Sequence, residues 1–190
     1  MIAIEKMTVG TAPAEFDFGR TGQGGPAQWA VVADTSAAHG RAVEQTSIDT
    51  TDYRFPLAIH KQVSAGNVNV TVRFKAVAGK VDQAGGIAVR LSDADNYYVV
   101  RANALEDNVR FYRVVKGRRE QLEGANVKVT AGDWHTLGLG AEGERFAIMF
   151  DEKQLFTAND RTFMGPGRVA LCTKADSLTR FDQIEIRNLP

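Results

Sequence analysis

QAGGIAVRLSDADNYYVVRANALEDNVRFYRVV, residues 83–115, decides the fold. β-Branched and aromatic residues recur at alternate positions in three runs, and the polar clusters SDADN and NALEDN divide them, so the stretch reads as three strands joined by two short turns. Alternation places Ile87, Val89, Leu91, Tyr98, Val100, Ala102, Val109, Phe111 and Val115 on one face, an apolar side that requires a second sheet to cover it. The opposite face carries Arg90, Tyr97, Val99, Arg101, Arg110 and Tyr112. A merely solvated face would carry mixed short polar residues, so arginines and aromatic rings in this pattern mark a surface for recognition.

The rest of the chain extends the same rhythm. Residues 67–78 (NVNVTVRFKAVA) alternate Val68, Val70, Val72 and Phe74 against Asn69, Thr71, Arg73 and Lys75. Further strands are expected at 14–19, 28–32, 42–46, 56–60, 133–140, 145–151, 154–156, 167–173 and 179–187, the last with a bulge where its alternation slips at Asp182 and Gln183. KGRRE reads as a basic turn, and residues 120–129 as a short strand plus a loop. The strongest helix candidate is a turn or two near 158–163. GRTGQGGP has glycines spaced somewhat like a dinucleotide fingerprint, but Pro26 leads into another strand instead of a phosphate-binding helix, so it reads as a turn. About a dozen short strands without a βαβ rhythm indicate an all-β, two-sheet antiparallel sandwich of jelly-roll type. No repeat or linker divides it, so residues 1–190 form one domain with a core over about 14–188.

Composition narrows the function classes. Lys plus Arg equals Asp plus Glu, 23 against 23, which removes the general attraction to phosphate that nucleic-acid or anionic-membrane binding needs. The single cysteine, Cys172, excludes an internal disulfide, and its strand setting indicates a buried, unreactive thiol. No run is long and apolar enough to span a bilayer, and MIAIEKMTVG lacks the form of a secretion signal. The expectation is a cytoplasmic protein, or a periplasmic or extracellular one if a leader was removed. The oligomeric state stays open.

The order of AGGIAVR, DNYYVVRA, NVRFYRV, GDWHTL, FDEKQLF, FMGPGRVALCTKAD and TRFDQIEI resembles the concanavalin A-like lectin and glucanase superfamily. Within it the chain looks most similar to bacterial laminin-G-like jelly rolls, including the 3-keto-disaccharide hydrolase or unknown-function family. The resemblance implies a curved front sheet whose concave face takes sugars. It also implies the option of a structural calcium ion between the chain ends, where Asp17 and Asp182 lie; otherwise no cofactor and no metal site is expected.

If residues 67–78 and the meander share that front sheet, the ligand-binding face holds Arg73, Arg90, Tyr97, Arg101, Arg110 and Tyr112. Like charges opposite each other on adjacent strands cost roughly 0.2–1 kcal/mol, so something must compensate four guanidinium groups. One reading is a carbohydrate, or another polyhydroxylated or anionic ligand, bound by the arginine forks and tyrosine rings. The other is a solvated ladder completed by acids such as Glu144 or Asp151. A glycoside hydrolase and a protein-interaction module are the alternative functions. Glucanase chemistry needs paired carboxylates on one strand face, and the nearest pairs, Asp93 with Asp95 and Asp182 with Glu185, suit it poorly, so no catalytic residue is assigned. His135 is expected to be a hydrogen-bonded strand histidine.

Overall fold

The computed structural model describes Met1–Pro190. A 3-10 turn at Ile4–Lys6 precedes fourteen strands: β1 (Phe16–Gly22), β2 (Trp29–Ala33), β3 (Arg41–Gln45), β4 (Arg54–Ala65), β5 (Val68–Ala78), β6 (Ala84–Asp93), β7 (Asn96–Asn103), β8 (Asn108–Val115), β9 (Arg118–Asn126), β10 (His135–Glu142), β11 (Arg145–Phe150), β12 (Lys153–Asn159), β13 (Gly167–Cys172) and β14 (Leu178–Asn188). They form two seven-stranded antiparallel sheets: sheet A in the order β1-β4-β13-β6-β7-β8-β9, and sheet B in the order β12-β11-β10-β5-β14-β3-β2. The expected helix near 158–163 is absent, and the segment described as a basic turn plus loop is mostly β9. Only Lys116 and Gly117 turn there, both at positive φ. The expected bulge in the last strand is present, with Gln183 at φ 46° and the register against β5 shifting between Asp182 and Glu185.

The inner faces of the two sheets bury 29 residues in one cluster, in which Tyr98, Phe111 and Phe146 meet at ring-centroid distances of 4.5–5.9 Å. A second cluster of 11 buried residues lies on the outer face of sheet A, built from Phe55, Leu57, Leu91, Tyr97, Val99, Tyr112, Cys172 and their neighbours. That face is curled inward. β1 and β7 are separated by three strands, about 19 Å in a flat sheet at ~4.8 Å per strand, yet Thr21 Oγ1 on β1 lies 2.7 Å from the Tyr97 hydroxyl on β7. Sheet A is therefore a trough, and the β6–β7 turn folds over one end of it, where Thr21 also donates to the Ala94 carbonyl.

A bulge in β6 makes this bend and corrects the alternation drawn from sequence. Val89 pairs with Tyr98, but the next pair is Asp93 with Asn96, and Arg90 takes a left-handed φ of 51°. Leu91 consequently enters the trough instead of the inter-sheet core. Arg90 leaves the outer face and lies 3% exposed at the sandwich edge. Its guanidinium donates to the carbonyls of Gly66, Phe163 and Gly143 at 2.8, 2.8 and 2.6 Å and stacks 5.2 Å from the Phe146 ring. It ties three connections together.

Arg73 is also displaced from the expected site, because β5 belongs to sheet B. Arg73 Nε sits 3.0 Å from Asp182 Oδ1, and its guanidinium lies over Trp134 at 4.7 Å, beside Lys75 at 5.0 Å. Lys75 and Arg180 both pair with Asp34. Burial alone would raise the Asp34 carboxyl, but hydrogen bonds from Lys75, Ser36 and Arg180 outweigh it and hold the group well below the usual range. A depressed folded pKa means stability present above the unfolded value and lost as pH falls through the folded one. Asp182 is raised, chiefly by burial, and acts in the opposite sense. Asp160, Asp176 and Glu106 shift downward with Asp34, so stability is expected to fall as pH drops below about 4. Urea titrations from neutral pH to pH 3 check this, and Asp34→Asn should be less stable at neutral pH with a smaller acid loss. Constant stability down to pH 3 would contradict it.

Candidate functional site

The open end of the trough is lined by Phe55 of β4, Ala84 of β6, Tyr97, Val99 and Arg101 of β7, Arg119 of β9, and Cys172, Thr173 and Lys174 at the end of β13. The NALEDN turn shapes one wall. Asn103 Oδ1 accepts the Leu105 N–H at 2.9 Å, and the turn thereby presents Glu106 and Asn108 to Arg101. Arg101 Nη2 donates to Glu106 Oε2 at 2.9 Å and to the Tyr112 hydroxyl at 3.1 Å, while Nη1 donates to Asn108 Oδ1. A Cβ on Gly86 would lie 2.4 Å from the Val100 carbonyl oxygen and 3.1 Å from Arg101 Cβ, so only glycine admits this approach. Burial raises the Glu106 carboxyl, but Asn108 and Arg101 outweigh it and hold it down.

Lys174 forms the second wall, with Nζ 2.9 Å from Asp82 and 3.0 Å from Asp52. Burial pushes Lys174 down, and these two carboxylates more than reverse that, keeping it charged. Asn103 completes the contact by donating to Asp82. Arg119 is the third cation. Its guanidinium lies 4.2 Å from the Tyr112 ring and 4.8 Å from Phe55, and it makes no ion pair. Tyr53 fixes the backbone beneath it by accepting the Arg119 N–H at 2.9 Å and donating to the Gly117 carbonyl at 3.0 Å.

Two buried polar atoms at this mouth have no protein partner: Arg101 Nε and Thr173 Oγ1. Arg101 is 8% exposed and Thr173 2%. Both line the same cavity of about 10 Å³, room for one oxygen-sized group. Buried polar groups are rarely left unpaired, so these two atoms call for a partner from outside the chain, a water or a ligand oxygen.

Of the six residues expected to bind, Tyr97, Arg101, Arg110 and Tyr112 share the outer face of sheet A, while Arg73 and Arg90 do not. Tyr97 is 1% exposed with its hydroxyl on Thr21, so it forms floor and offers no stacking surface. Arg110 donates to Asn126 at 2.7 Å near the sheet edge. Tyr112 is covered by Arg119. Glu144 and Asp151 do not compensate these arginines: Glu144 pairs with Arg161 and Asp151 with His135. His135 Nδ1 is 2.8 Å from Asp151 and its ring stacks on Phe150, with no nucleophile beside it. Sequence reasoning missed Arg119, Thr173, Lys174, Asp82, Glu106 and Asn108. The KGRRE and NALEDN runs contain three of these positions, Arg119, Glu106 and Asn108, but residues after the end of a strand carry no periodic signal.

The carboxylate pairs considered for hydrolysis lie elsewhere. Asp93 caps its own turn by accepting from Asp95 N–H and Asn96 Nδ2, and Glu185 pairs with Arg187 on the outside of sheet B. Asp17 pairs with Arg168 on sheet A and Asp182 with Arg73 on sheet B, so these two are not brought together. A depression of about 310 Å³ on the outer face of sheet B, floored by Gly138 and Gly140, is lined by the polar residues Asn69, Thr71, Glu185 and Arg187, but none of these leaves a buried polar atom unpaired. Cys172 is buried in the trough floor, and burial pushes its thiol up to about 12. Native protein at pH 8 should therefore alkylate more than ~100-fold slower than urea-unfolded protein. Equal rates would place the thiol in solvent.

Comparison with known proteins gives a consistent result. The carbohydrate binding module CBM66 from Bacillus subtilis superposes with a TM-score of 0.67 at 22% identity, covering 84% of this chain and 95% of that one. A Bacillus subtilis protein of unknown function with a galectin-like fold gives 0.64 at 6% identity, over 90% and 89% of the two chains. The Bacillus licheniformis β-glucanase gives 0.58 at 10% identity, over 93% and 99%. These likenesses establish the concanavalin A-like jelly roll. A search of curated protein sequences finds no match. Residues 25–189 match the family described as galactocerebrosidase, C-terminal lectin domain, and with nearly the whole chain covered, this protein belongs to that family.

Proposed function

We propose that this lectin-type module binds carbohydrate at the mouth of the sheet A trough, with Arg101 Nε donating to a sugar oxygen and Thr173 Oγ1 sharing that oxygen. The observation that carries this reading is the pair of buried, unpartnered polar atoms lining one cavity. Glu106, Asn108 and Tyr112 hold Arg101 in place, so little side-chain freedom is lost on binding. Binding without hydrolysis fits the charges. A glycosidase acid needs its carboxyl raised, whereas Glu106 is held down.

Thr173→Val tests the reading cleanly. It removes a hydroxyl that bonds nothing in the protein while keeping its shape, so folding stability should stay equal or rise, whereas glycan affinity should fall by roughly tenfold. The measurement is a glycan array followed by calorimetric titration of captured glycans, with mass spectrometry showing them intact. Undiminished capture by Thr173→Val, or no capture by either protein, would overturn the proposal. Cleaved glycan would replace binding by hydrolysis.

A further inference from the structure

We infer that the saccharide taken at this mouth carries an acidic group, a carboxylate or a sulfate, and that Arg119 is its counter-charge. The inference rests on the binding reading above and adds the class of ligand. Lys174 is committed to Asp82 and Asp52, and Arg101 to Glu106. Arg119 lines the same cavity, and its side chain donates to no carboxylate or carbonyl. A guanidinium presents five N–H donors in a planar fork that matches a carboxylate or sulfate edge to edge.

Its setting separates it from an ordinary surface arginine. The ring contacts with Tyr112 and Phe55 partly desolvate the cation and fix its plane, and Tyr53 anchors the backbone on both sides of Arg118, at the Gly117 carbonyl and the Arg119 N–H. The adjoining Lys116 and Arg118 are exposed and outside any ion pair, but the turn that carries them bonds to the β6–β7 turn at the closed end, with the Lys116 N–H donating to Asn96 Oδ1, so Arg119 is the member of this run that reaches the mouth. Glu120, the acid of the KGRRE run, is turned to Arg113 instead. A long-range field is absent because the whole chain is neutral, and recognition of an acid must come from this local group.

The test is a calorimetric titration with three probes: a galacturonate oligosaccharide, a sulfated galactan oligosaccharide and a neutral galactan oligosaccharide, each with wild type, Arg119→Gln and Arg119→Lys. The expected result is that at least one acidic probe binds roughly ten- to hundredfold tighter than the neutral one, that Arg119→Gln abolishes this excess, and that Arg119→Lys restores part of it. The excess should shrink as salt rises from about 50 mM to about 500 mM. The two acidic arms tell carboxylate from sulfate. Circular dichroism melts establish that each variant is folded. If the neutral probe binds as tightly as both acidic ones, with Thr173→Val weakening it, the binding site stands and the acidic-ligand inference is wrong. If no probe binds and the array retains nothing, both fail.

Discussion

Arg90→Met is expected to lower unfolding stability by about 3 kcal/mol, because it removes three hydrogen bonds from a buried guanidinium to main-chain carbonyls; a bond from a charged donor is worth about 1.5–3 kcal/mol, and less where the acceptor is exposed, as at Gly143. The carbonyls belong to Gly66 in the β4–β5 turn, Gly143 in the β10–β11 turn and Phe163 ahead of β13. Methionine keeps the stem that packs toward Phe146, so the loss reports the hydrogen bonds more than the packing. For a chain of this size, a drop of about 6–12 °C in melting temperature follows. Arg110→Met is the internal control: Arg110 makes one short side-chain bond, to Asn126 at the sheet edge, and one long one of 3.5 Å to the Val109 carbonyl, and their loss should cost within about 1 kcal/mol. Equal effects from the two substitutions would show that Arg90 is not the tie described here.

Tyr97→Ala should be at least as damaging, at about 3–5 kcal/mol, although Tyr97 lies on the face of sheet A turned away from sheet B. Its ring is 1% exposed among Phe55, Leu91, Val99 and Cys172, and truncation would leave a cavity in the trough floor and remove one of the two partners of Thr21 Oγ1. The hydroxyl is itself part of the core, and burial raises it well above the ordinary tyrosine range. Urea unfolding of Tyr97→Ala and Tyr97→Phe separates ring from hydroxyl, the second costing about 1 kcal/mol for one lost bond. A loss below about 0.5 kcal/mol for Tyr97→Ala would mean that the outer face is solvated and that the trough is open along its length.

The legibility of the chain follows from which features repeat. Strand alternation is periodic, so the meander, β5 and β14 with its bulge were all visible, and they suffice for a two-sheet sandwich. Which sheet a strand joins is a long-range property. Nothing in NVNVTVRFKAVA says that β5 lies between β10 and β14, and for that reason Arg73 was grouped with arginines it never meets. The β6 bulge was hidden for a different reason. AVRLSD keeps its apparent alternation while Arg90 takes a left-handed conformation that non-glycine residues rarely adopt, and this exchanges the faces of Arg90 and Leu91. Alternation did place Arg101 and Tyr112 together on the outer face of sheet A, where they hydrogen-bond to each other. The tyrosines read as stacking platforms are covered by neighbouring side chains, because curvature turns an outer face into a second core. Arg119, Thr173 and Lys174 enter the mouth from strand ends and turns, where only tertiary closure gives a side chain its direction.

The most direct test of the central claim observes the Nε–H of Arg101 by nuclear magnetic resonance during titration with the glycan retained most tightly on the array. The account predicts that the Arg101 Nε–H signal moves to saturation with the glycan, while those of Arg54 and Arg90, bonded to the Gly25 and Gly66 carbonyls, stay in place. An unmoved Arg101 signal at saturating glycan, with shifts instead at Arg73 on sheet B, would contradict it.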